Sequence, residues 1–197
     1  MAFLGPLQGT VLDIGSGEGG WAECLRRVGA QRLIAVEPDP TAAEKARSRY
    51  DVVVEQPIEE VVADTIGGAD LIIVADCLEH LLDPWAVLRQ VHAESCPGTQ
   101  LAVSVPNFRY LGILGPALLL GRFEYSDDGG IMDRGHLRWF TRASMGRALA
   151  SCGWSPTKWS GAAGTGKRAL LNRVSGQRLA GLLSHQIYVL ASKNNPG

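Results

Sequence analysis

The sequence is poor in the signals that most readily betray a function. Its 197 residues carry 19 Lys and Arg against 20 Asp and Glu, so neither sign of charge dominates. A nucleic-acid partner is therefore not expected, since it would call for a basic stripe. Cysteine is sparse, and Cys24, Cys77, Cys96 and Cys152 occur without any C-x-x-C pair, which excludes the spacing of zinc ribbons and dithiol redox motifs. Cys24 and Cys152 fall in predicted helices, so the cysteines read as reduced thiols and the expected location is cytoplasmic. The histidines are scattered as well, and their spacing gives no reason to expect a metal site. Long hydrophobic runs are also missing. The longest, "YLGILGPALLLG" from Tyr110 to Gly121, is too short and too interrupted by Gly and Pro to cross a bilayer, and no charged leader with a cleavage site opens the chain. No transmembrane segment is expected. There is no internal repeat, and low complexity is confined to the tail "SKNNPG".

What the sequence does contain is an alternation of strand and helix patterns over a length that suits one domain, 1–197. "GTVLDIG" reads as a buried strand, after which Trp21, Cys24, Leu25 and Val28 recur at helical spacing until Gly29. "RLIAVEP" is a second strand, followed by Asp39 as N-cap and Pro40 at the first position of a helix. Further strands are predicted in "YDVVVEQ", "ADLIIVAD" and "QLAVSVPN", with Asp83 and Pro84 starting the helix between the last two. After Gly153 the pattern changes to two strands, "WSPTKWSG" and "HQIYVLASK", separated by an insertion over 161–184. The expected fold is α/β and doubly wound, with a mostly parallel sheet whose ligand sits beyond the carboxyl ends of the strands.

The glycine-rich stretch "VLDIGSGEGGWAECL" permits two readings. Gly15, Gly17 and Gly20 spell the G-x-G-x-x-G of a dinucleotide fold, while Asp13 with Gly15, Gly17 and Gly19 spells the acidic glycine loop of a different nucleoside site. The strand ends tip the balance. They deliver Asp13, Glu37, Asp76 and, close behind, Glu79, but no Lys or Arg. That rim repels a pyrophosphate and attracts a ligand carrying an ammonium and a sulfonium. Glu37 suits a ribose diol under either reading.

Taken in order, "VLDIGSGEG", "AVEPDP", "ADLIIVADCLEHLLDP" and "SVPNFRYLG", with the later "GRFEYSDDGGIMDRGHLRWFT", resemble class I S-adenosylmethionine-dependent methyltransferases. The last stretch is similar to a small bacterial branch found beside sugar, cell-surface polysaccharide and secondary-metabolite pathways. The resemblance implies a Rossmann-like, seven-stranded sheet with an antiparallel last strand. It further implies that Asp13, Gly15, Ser16 and Gly17 lie against the methionine part of the cofactor, that Glu37 and Pro38 hold the ribose, that Gln56, Pro57 and Ile58 flank adenine, and that Asp76, Cys77 and Leu78 close over the sulfonium. Pro57 stands where the family commonly has an Asp for the adenine amino group. The short N-terminal "MAFLGPLQ" replaces helices that cover the cofactor in many relatives, so a second subunit, as in a homodimer, or the segment after Asn107 must do so.

That segment, 107–135, is long for a connection and is expected to form a lid, with the apolar run as a helix and Phe108, Phe123 and Tyr125 facing a flat or sugar-like acceptor. His80 and Asn107 complete the expected acceptor contacts. His136 is the expected general base, because imidazole titrates near neutral pH, and Asp133 could orient its ring. Thr141 is the expected N-cap of the next helix, and Arg138 an anchor for a loop carboxylate. "GAAGTGKR", 161–168, falls short of a phosphate loop because Arg168 replaces the hydroxyl residue. The expected activity is methyl transfer from S-adenosylmethionine, leaving S-adenosylhomocysteine, to an oxygen or nitrogen of a small-molecule or sugar acceptor. The alternative is a cofactor-binding accessory subunit that activates a partner; a nicotinamide oxidoreductase ranks third.

Overall fold

In the computed structural model, which describes residues 3–127, 129–162 and 179–194, β1 (Thr10–Ile14), β2 (Arg32–Val36), β3 (Val52–Val54), β4 (Leu71–Ala75), β5 (Gln100–Pro106), β6 (Trp154–Ala162) and β7 (Gln186–Lys193) form one sheet. Its order is β3-β2-β1-β4-β5-β7-β6. Only β7 runs against its neighbours, pairing antiparallel with β5 and β6. This is the Rossmann-like arrangement expected, with the chain reversing from β3 to β4 so that the ends of β1 and β4 diverge at a topological switch point.

The strands are near-continuous apolar runs because both faces are covered. Leu12, Ile14, Ile34, Ile72, Val74 and Val103 belong to one buried cluster, and Val11, Leu33, Ala35, Leu71 and Ile73 to the other. The helices are α1 (Ala22–Arg27), α2 (Pro40–Ala46), α3 (Ala63–Gly67), α4 (Pro84–Glu94), α5 (Leu111–Leu120), α6 (Arg142–Ser151) and α7 (Ala180–Leu183). Their starts follow the local chemistry. Asp39 accepts from the Ala42 N–H, Asp83 accepts from the Ala86 N–H, and Thr141 and Ser144 form a capping box. None of the described helices is long and apolar enough to cross a membrane.

Two expectations change, and a third is met. The third strand was read across "YDVVVEQ", yet only Val52–Val54 pair, because β3 is an edge strand with β2 as its one neighbour. β6 extends to Ala162 and β7 starts at Gln186, so the insertion begins later than residue 161; most of it, with most of "GAAGTGKR", lies outside the described residues. The apolar run does form a helix, α5, but no residue of it is buried, and Leu118 and Leu119 are about four-fifths exposed (80% and 84%).

Candidate active site

The loop after β1 is built by backbone ties to β2: the Gly15 and Ser16 N–H groups both donate to the Val36 carbonyl. Gly15 has φ +72°, and a Cβ there would stand 2.9 Å from the Cys77 Cβ and Sγ, so only glycine fits between the loop and the end of β4. Gly17, at φ +54°, faces open space. Its N–H donates to Glu37 Oε2 (2.7 Å), while Glu37 Oε1 accepts from the Asp39 N–H (3.0 Å). The Glu37 carboxylate is thus buried and fixed against the glycine loop with acceptor capacity left over.

Asp13 lies behind that loop, almost fully buried. Tyr50 donates its hydroxyl to Asp13 Oδ2, and Oδ1 has no hydrogen-bond partner among the described residues. Burial pushes the Asp13 carboxyl up to about 6, partly opposed by the Tyr50 bond, and the Glu37 charge adds to the rise. A group with a raised folded-state pKa stabilises the fold below its unfolded value, 3.8, and that contribution is lost as pH climbs through about 6. Asp13→Asn should therefore gain stability relative to the parent between pH 4 and 7, by about 2 kcal/mol. Urea unfolding across that range tests it; a pH-independent difference would show that Asp13 does not titrate there.

The end of β4 carries the rest. Asp76 sits at φ +51°, a strained conformation for a non-glycine residue, and its Oδ1 accepts from Ser104 and Gln186. Cys77 packs under Gly15, and burial together with the charges of Glu79, Glu37, Asp13 and Glu59 pushes its thiol up to about 12. These carboxylates therefore act together on one small volume. A cavity of about 380 Å³ lies beside it, lined by Ala75, Ser104, Trp21, Tyr188, Phe3 and Leu4 among others. The N-terminal segment supplies part of that wall, held where Lys158 Nζ donates to the Phe3 carbonyl (2.8 Å).

Glu79 was legible only as one more acid of the rim, and its setting is different. It is 1% exposed, and neither carboxylate oxygen has a hydrogen-bond partner among the described residues. Burial, with Asp76 adding its charge, pushes the carboxyl up to about 8. One oxygen of Glu79 and one ring nitrogen each of His80 and His136 lie within 4.8 Å of one another, a grouping invisible to sequence spacing because it joins two distant parts of the chain. The His80 and His136 rings meet edge-on at 4.7 Å.

Other candidates fall elsewhere. Asn107, expected to touch the acceptor, is spent on the scaffold: its Nδ2 donates to the Gly181 and Ser184 carbonyls and its Oδ1 accepts from the Arg109 N–H. Asp133 does not orient His136, because its Oδ1 accepts from the Gly135 N–H (2.6 Å) while His136 Nδ1 donates to the Ile131 carbonyl (3.1 Å). Arg138 is an anchor, but its partners are the Leu82 and Leu137 carbonyls, not a carboxylate. Ile58 and Leu78 turn their side chains into the core, leaving only backbone for a ligand, whereas Gln56, Pro57 and Pro38 are exposed. Phe108 packs against Phe123 and Trp139, and Tyr125 lies edge-on to Phe123.

Comparison with known proteins decides the family. A sequence model described as a methyltransferase domain matches residues 1–158. The chain belongs to this methyltransferase family. Its fold is that of the class I S-adenosylmethionine-dependent enzymes, and S-adenosylmethionine is the cofactor against which the strand ends are to be judged. Over 115 residues it is 33% identical to a ubiquinone biosynthesis O-methyltransferase of Xanthomonas axonopodis pv. citri, covering 54% of this chain and 46% of that protein. The chain thus spans less than half the length of that relative. The fold is shared with an S-adenosylmethionine-dependent methyltransferase of Mesorhizobium loti (TM-score 0.66, 15% identity, 98% of this chain and 94% of that one). It is shared too with the 1,6-didemethyltoxoflavin N1-methyltransferase of Burkholderia thailandensis (TM-score 0.61, 21% identity, 98% and 74%). The site fits the cofactor: Gly17 opens onto free space, Glu37 is fixed beside it with spare acceptor capacity, and the converging carboxylates suit a cation.

Proposed function

We propose that the chain transfers the methyl group of S-adenosylmethionine to an oxygen or nitrogen of a small acceptor, and that a phenolic or catecholic hydroxyl is the best candidate. The observation that carries this reading is the set of strand-end carboxylates, Asp13, Glu37 and Asp76, gathered at a glycine loop whose neighbouring parallel strands end without Lys or Arg. Such a field favours a sulfonium over a pyrophosphate. Support for oxygen as the acceptor atom comes from the O-methyltransferase relatives, and support for a flat acceptor from the rings of Phe108, Phe123, Tyr125 and Trp139.

When bound, the cofactor supplies a methyl group on a positively charged sulfur. The chain's own residues do the rest. Asp13, Gly15, Ser16 and Gly17 cradle the methionine part, Glu37 and Pro38 take the ribose hydroxyls, Gln56, Pro57 and the Ile58 backbone border adenine, and Asp76 to Leu78 close the sulfonium side. Segment 107–135 covers the acceptor, with Phe108 and Tyr125 against its ring and His80 at its reacting end. Most of the acceleration comes from holding acceptor and methyl in line. Loss of the acceptor proton is promoted by the cluster of Glu79, His80 and His136, with Asp133 bracing the turn that carries His136.

Calorimetry with S-adenosylmethionine, S-adenosylhomocysteine and NAD, followed by an assay of S-adenosylhomocysteine release from catechols, phenols and nucleotide sugars, tests the reading. Equal or tighter binding of NAD would overturn it. Binding without turnover on any acceptor, joined to activation of a partner enzyme, would favour an accessory subunit. With an acceptor in hand, His136→Gln should lower kcat by more than about tenfold and alter the pH profile while leaving cofactor affinity unchanged.

A further inference from the structure

Imidazoles and a buried carboxylate meet where the short 3₁₀ turn after β4, Leu78–His80, touches the segment leading into α6. We propose that Glu79, His80 and His136 form a binding site for a divalent first-row transition ion. The site stands on its own geometry, and only the use made of the ion rests on the methyl-transfer reading above.

The donor atoms are already gathered. They lie within 4.8 Å of one another, and an ion with bonds of about 2.1 Å spans up to about 4.2 Å, so a small rotation of the exposed His80 side chain closes the difference. Glu79 supplies the independent sign that something belongs there. A carboxylate buried to this degree is ordinarily paired or coordinated, and here both oxygens lack a partner among the described residues. The nearby Arg138 spends its guanidinium on the Leu82 and Leu137 carbonyls.

The histidines are set in the tautomer that ligation needs. His80 Nδ1 lies 3.1 Å from the Gly135 carbonyl and His136 Nδ1 3.1 Å from the Ile131 carbonyl. A carbonyl only accepts, so each Nδ1 carries a proton and Nε2 is the nitrogen left to ligate, the outer arrangement that orients metal-bound imidazoles. The two segments are stapled together by backbone, since the Leu137 and Arg138 N–H groups both donate to the Glu79 carbonyl (2.7 and 3.1 Å). The donors therefore need little reorganisation to bind. Two nitrogens and one oxygen suit Zn²⁺, Mn²⁺, Co²⁺ or Ni²⁺ better than Mg²⁺ or Ca²⁺, and three protein ligands leave coordination positions open.

An ion there polarises an acceptor hydroxyl drawn to it. The O–H proton passes to water as the oxygen takes the methyl group, and the sulfur keeps the electron pair of the broken S–C bond. The acceptor class that follows is one with a hydroxyl able to approach a cation, a catechol above all.

The test uses untagged, chelator-stripped full chain titrated with Co²⁺, read by visible absorption, with Zn²⁺ as competitor. One equivalent should bind and be displaced by Zn²⁺. Glu79→Gln and His80→Ala should each weaken binding at least tenfold, and His185→Gln, at an exposed histidine outside the cluster, should leave it unchanged. Because His80 is exposed, His80→Ala tests the site without disturbing the core, and circular dichroism confirms the fold of each variant. The absence of a Co²⁺ complex, or equal affinity in the parent and both cluster variants, overturns the site. S-adenosylmethionine binding is followed separately, so a protein that holds the nucleoside but no Co²⁺ refutes the ion and leaves the methyl-transfer reading standing.

Discussion

Glu37→Ala should weaken S-adenosylmethionine binding by about 1.5 to 3 kcal/mol, roughly 10- to 150-fold. The residue acts twice. In the proposed cofactor site its spare lone pairs would accept from the ribose hydroxyls, and such charge-assisted bonds are worth more than neutral ones. Its oxygens also hold the Gly17 and Asp39 N–H groups, so removing the carboxylate releases the glycine loop that the ligand needs preformed. Glu37→Gln, which keeps an acceptor but loses the charge, should fall between the parent and Ala. Calorimetry of S-adenosylmethionine and S-adenosylhomocysteine with all three proteins gives the comparison. Unchanged affinity in Glu37→Ala would remove the ribose from this position.

The largest effect on stability is expected at Trp154. Its side chain is fully buried at the start of β6, its indole N–H donates to the Leu88 carbonyl of α4 (3.0 Å), and its ring meets His92 edge-on at 5.4 Å. Trp154→Ala empties the largest fully buried side chain of the core and should cost about 3–5 kcal/mol. For a chain of this size the midpoint of thermal unfolding should fall by on the order of 10 °C. A loss below about 1 kcal/mol in calorimetric unfolding would mean that α4 and β6 collapse onto the void.

The parts of the fold legible in the sequence are those written locally. Asp39–Pro40, Asp83–Pro84 and Thr141 announce helix starts because a cap needs only a side chain and an N–H two or three residues on. Apolar runs ending in Asp13, Glu37 and Asp76 mark buried strands and place their carboxylates where the sheet opens. What escaped depends on distant partners. Asn107 could be read as an acceptor contact until Gly181 and Ser184 came to meet its amide, and Asp133 as an orienting group until the Gly135 N–H took its oxygen. Glu79 looked like its neighbours in the acidic rim. Only folding distinguishes a carboxylate held under the segment of His136 from one facing water.

The position of β7 has a consequence for the chain as it is synthesised. β7 is the wedge between β5 and β6, so β5 has only β4 beside it and β6 has no neighbour until residues 186–193 leave the ribosome. Until then β5 presents a seven-residue apolar edge with every outward backbone group unpaired. A nascent chain paused before β7 is thus a template for strand addition by another copy, and translation stalls in this interval should raise aggregation more than stalls after it.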